Sequence, residues 1–93
     1  MAIKFALESE ELKKSNWPKC DELARKLELK GVEAVPSLEA ALKSRTKHVR
    51  AAALRSIAVL DSNRGVELAR ELLKDKAYEV REAAAVILGV PTP

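Results

Sequence analysis

Cys20 and His48 are each the only residue of their type in the chain. A zinc or iron site needs several Cys, His or carboxylate ligands at short spacings. A nucleophilic cysteine needs a base within hydrogen-bond reach. Neither single residue has such company nearby, so Cys20 reads as a small buried apolar side chain. The three glycines are isolated and build no phosphate-cradling loop. Glu67 and Glu71 alternate with Arg70 and Lys74 at helical spacing, which is surface pairing rather than an acid–base couple. No catalytic residue, cofactor site or metal site is therefore expected. What remains is ionic chemistry. Lys43, Arg45, Lys47 and His48 crowd together just before Arg50, a candidate anion or phosphate contact. The plainer reading is a solvated loop with helix-end charges, and it is preferred because no aromatic stacking residue lies among them.

These residues must be held by helices. Apolar residues recur at helical spacing in six segments, about 3–14, 17–29, 33–43, 47–60, 64–74 and 77–89. No segment alternates like a strand. Pro18 and Pro36 fall in first turns, where proline is tolerated. Gly31 and Gly89 fit helix ends. Asn63 is the expected cap of the fifth helix, within the turn-forming run 61–65. Pro91-Thr92-Pro93 reads as a frayed tail. Trp17, just before Pro18, is expected to pack over the first two helices; exposed, it would be an interface anchor.

The helices repeat. Residues 35–60 recur at 66–90 with an offset of 31 and no gap: Val49-Arg50-Ala51-Ala52-Ala53 returns as Val80-Arg81-Glu82-Ala83-Ala84. An offset of 30 maps the first third onto the second, with Leu12-Lys13 on Leu42-Lys43 and Leu27 on Ile57, but without the Val-Arg-x-Ala-Ala signature. The expected organisation is one domain, 1–93, with a degenerate, charged first repeat (1–30) and two good copies (33–60 and 64–90). No polar cap is evident at the other end, where the last helix is among the most apolar stretches of the chain.

The block from Leu72 to Gly89, and its copy from Leu42 to Ala58, resembles the HEAT-like repeat of phycobilin lyases. The resemblance implies an all-α, right-handed α–α superhelix of three stacked antiparallel helix pairs. In such families an Arg that begins each second helix pairs with an Asp closing the first. Arg50 and Arg81 stand at the Arg position and Asp75 at the Asp position, an implied inter-repeat ladder with one rung missing, because Ser44 replaces the other Asp. The resemblance also implies that second helices line the concave face. Outside the core positions, that face is expected to carry Asp21, Arg25 and Glu28, then Ala51, Arg55 and Ala58, then Glu82, Val86 and Gly89. Arg25, Arg55, Glu82 and Val86 are its candidate interaction residues.

Composition bounds the function. The chain has 93 residues, and its 47% hydrophobic content includes only one Phe, one Tyr and one Trp, so the core must be aliphatic. The net charge of +3 is spread along the chain, a weak pull toward anionic partners. Only Arg25 and Arg55 are basic on the expected concave face, which argues against a duplex-binding groove there. One cysteine excludes an internal disulfide and favours a cytoplasmic location. No run approaches the ~18–20 apolar residues that span a bilayer, and the start lacks a signal peptide's apolar core. The expected function is a non-catalytic protein-interaction or scaffold module of unknown partner, with possible self-association through the apolar last helix. A nucleic-acid-binding module using residues 43–50 is the alternative. A bilin-lyase-related role rests on the resemblance alone.

Overall fold

The computed structural model describes residues 4–93. Six α-helices follow one another: α1 (Ala6–Lys14), α2 (Lys19–Glu28), α3 (Val35–Ala41), α4 (Lys47–Leu60), α5 (Ser62–Leu72) and α6 (Tyr78–Leu88). A single 3-10 turn, Val32–Ala34, leads into α3. No strand occurs among the described residues. The expected helix start at residue 3 and the apolar Ile3 lie outside them.

Helix ends follow local chemistry. Gly31, with φ of 90°, turns the chain between α2 and α3. Asp61, not Asn63, caps α5: from an extended backbone its carboxylate accepts the N–H of Arg64 at 3.1 Å. The helix thus starts two residues earlier than expected, and Asn63 already lies inside it. Gly89, with φ of 70°, closes α6 in a Schellman arrangement, its N–H bonding the carbonyl of Val86 and that of Val90 bonding Ala85. The expected frayed tail is instead folded back along α6, where the carbonyl of Pro93 accepts from Nε of Arg81 at 3.3 Å.

The helices pack in antiparallel pairs, α1 with α2, α3 with α4 and α5 with α6. The second helices, α2, α4 and α6, form one continuous layer. In the other layer α1 rests on α3, whereas α3 and α5 barely touch. A bidentate pair spans that opening, Arg64 donating to both oxygens of Glu39 at 2.7 and 3.0 Å. The α4 helix sits at the centre, so Val49 to Leu54, Ser56 and Ile57 are all buried. Alanines let its neighbours approach: Ala51, Ala52 and Ala53 on α4 and Ala83 and Ala84 on α6 join the core around Leu27, Leu38, Leu54, Ile57 and Val80. Closest is the contact with α5, where a Cβ on Gly65 would stand 2.6 Å from the Cα of Ala58.

Candidate interaction surfaces

The helix pairs are laced together at the turns that close each pair. Asp75, between α5 and α6, accepts from Nε and Nη2 of Arg50 on α4, both at 3.0 Å. Arg50 also donates through Nη1 to the carbonyl of Ser44 at 2.9 Å. Arg81 repeats that last bond one pair later, its Nη1 reaching the backbone carbonyl of Asp75 at 2.8 Å rather than the carboxylate. Ser44 and Asp75 do the same local work: each side chain accepts the N–H two residues on, Thr46 or Ala77. The Ser44 side chain has no arginine to receive, because Cys20 occupies the place on α2 that Arg50 occupies on α4. Its hydroxyl turns instead to the carbonyl of Lys13, at 2.8 Å. The missing rung is thus two matched replacements, Arg to Cys and Asp to Ser, with no buried charge left unpaired. Burial pushes the Asp75 carboxyl up, but the bonds from Arg50 and Ala77 outweigh it and hold its pKa below the ordinary value.

The exposed face of the second helices carries a cleft of about 330 Å³ between α2 and α4. Asp21, Arg25 and Glu28 form one wall, and Arg55, Ser56 and Val59 the other. Two contacts cross it: Arg55 to Asp21 at 3.6 Å, and the Ser56 hydroxyl to Glu28 at 3.1 Å. Arg25 has no ion-pair partner among the described residues. Glu82 and Val86 are exposed on α6. Ala51 and Ala58, expected on this face, are not there. Ala51 is buried in the core, and Ala58 abuts Gly65 of α5. Flanked by helices on several sides, α4 turns Arg55 and Val59 outward instead. Val59, which sequence reasoning missed, is 68% exposed.

The basic stretch is divided among different neighbours. Lys47 is engaged by Glu79 of α6 at 3.0 Å, and that contact holds the Glu79 carboxyl below its ordinary pKa. His48 sets its ring 6.1 Å from that of Trp17. Lys43 and Arg45 are exposed without ion-pair partners among the described residues, and they share a cleft of about 500 Å³ with Lys13 and Lys14 of α1. Trp17 does not seal the first pair: it is 61% exposed, while Leu12, Cys20, Leu23 and Leu27 are the buried residues of that pair. Cys20 is fully buried, and burial followed by the nearby Asp21 raises its pKa, so the thiol stays protonated. Among the described residues no group of three or more His, Cys, Asp or Glu could hold a metal ion. No helix there is long and apolar enough to cross a membrane.

Stacked antiparallel pairs with an alanine-rich interior and a laced turn edge define a helical-repeat protein. A family model for HEAT repeats matches residues 10–89, and the chain belongs to that family. No curated protein and no solved structure gives a significant match.

Proposed function

We propose that this chain, like HEAT repeats in general, is a protein-interaction and scaffold module that acts without a covalent step, seating a protein segment on the exposed face of α2, α4 and α6. The observation that carries this reading is the exposure of Val59 on α4 and Val86 on α6, 68% and 75%, with Arg25 lining the same cleft as Val59 and joining no ion pair among the described residues. Folding makes little use of these three side chains, and they suit a segment that offers an apolar residue next to a carboxylate. A preformed face lowers the ordering cost of binding. The test is photo-crosslinking in cells from a reactive amino acid at Val59 or Val86, with Leu7 on α1 as the control position. One discrete adduct from the two valines, lost in Arg25→Glu and absent from Leu7, is expected. The same adducts from all three positions would overturn the reading.

A further inference from the structure

The three turns that close the helix pairs lie along one edge, because the chain of bonds from Lys13 through Ser44, Arg50 and Asp75 to Arg81 ties each to the next. We propose that this edge binds single-stranded nucleic acid, a site separate from the second-helix face and independent of the reading of that face. Each turn brings two basic residues: Lys13 and Lys14, Lys43 and Arg45, Lys74 and Lys76. Among the described residues only Lys14 joins an ion pair, a loose 3.9 Å contact with Glu10. The chain has 17 basic and 14 acidic residues, so removing these six leaves 11 basic against 14 acidic. These six cations outnumber the net charge of +3 carried by the whole chain.

Helix electrostatics explains part of the row and leaves the rest. Lys13, Lys14, Lys43 and Lys74 lie at or just past C-terminal helix ends, where cations are favoured. Arg45 and Lys76 instead lie just before the N-termini of α4 and α6, where the helix dipole disfavours them. The one acid within these turns, Asp75, is consumed by Arg50. The edge also carries rings. Trp17 and Tyr78 hold the same place in the first and third pairs and are 61% and 52% exposed. Between them the His48 ring stands beside Trp17, and Arg81 lies 6.0 Å from the ring of Tyr78. Cations that meet phosphates, interleaved with rings that stack on bases, are what an unpaired strand needs. A duplex hides its base faces, and an acidic protein segment would use the cations alone.

The test is fluorescence anisotropy of labelled oligo-dT and oligo-U of about 12 nucleotides with the full chain. Saturable binding is expected that weakens roughly a hundredfold between about 50 and about 200 mM salt, the slope for some five phosphates at about 0.7 each. Lys43→Glu/Arg45→Glu and Lys74→Glu/Lys76→Glu should each weaken binding at least about tenfold and flatten the salt slope. Trp17→Ala and Tyr78→Ala should each weaken it about tenfold with the slope unchanged. Lys26→Glu, in the last turn of α2 and so at the far end of that helix from the edge, should bind as the parent does. Trp17 is the only tryptophan, so quenching of intrinsic fluorescence by the oligonucleotide reads the stacking without any variant. The proposal fails if neither oligonucleotide binds at the lower salt, or if Trp17 is not quenched on binding. It fails equally if polyglutamate competes as well as the oligonucleotide, which would make the edge a protein site, or if a duplex of equal length binds more tightly.

Discussion

Asp75 joins the second and third helix pairs through a buried ion pair. It is 10% exposed and accepts two bonds from Arg50, itself 8% exposed. Asp75→Ala leaves a buried guanidinium with only the Ser44 carbonyl, a loss of about 3–5 kcal/mol. That should unfold much of the protein at room temperature by circular dichroism, whereas Arg50→Met/Asp75→Leu should recover most of the stability. The pH dependence has a definite sign. The carboxyl's folded pKa lies below its unfolded value of about 3.9, so its contribution is complete above that value. It is lost as pH falls through the folded pKa. The melting temperature of the parent should therefore drop below about pH 4, and the double variant should lack this component of the drop. Sequence alone placed Arg50 and Asp75 as repeat equivalents of family positions, since both stand inside a repeated block. It could not show that Arg81 would take the backbone carbonyl instead of the carboxylate. A lone aromatic before a proline reads more readily as a plug than as an exposed ring, and the 61% exposure of Trp17 overturns that expectation.

Helix identities were legible because periodic apolar residues and glycine or proline stops agree along most of the chain. Helix faces were less so. Matching positions between helices does not tell how many neighbours surround the central one: Ala51 and Ala58 of α4 face packed helices, and Val59 is the residue left outward. Gly65 shows the same limit, since near a helix start it looks like a weak spot. In the structure it is a close-approach point between α4 and α5. Gly65→Ala should therefore destabilise by about 1–3 kcal/mol, because the backbone of Ala58 cannot move aside as a flexible side chain could. Helix propensity alone predicts a gain of about 1 kcal/mol. Urea unfolding separates the two signs directly.

Across the molecule, stability should be uneven. In a repeat array each pair leans only on its neighbours. The second and third pairs share the Arg50–Asp75 rung and the Arg64–Glu39 bridge. Near the turns the first pair is held through one serine hydroxyl, supplemented by Ser9 Oγ donating to the carbonyl of Ser37 at 2.7 Å and by the Asp21–Arg55 and Ser56–Glu28 contacts. Native-state hydrogen exchange should find the amides of α2 opening at lower free energy than those of α4 and α6. Equal protection in all three helices would show that the lacing does not govern how the array opens.

The laced turn edge has one more consequence, a mechanical one. It acts like the spine of a book: the three turns are bound at fixed spacing, while α3 and α5 on the outer layer stand apart and are bridged by surface side chains. Bending the array fans the pages without stretching the spine. Curvature can then adapt to whatever lies against the second helices, while the row of turns keeps its pitch.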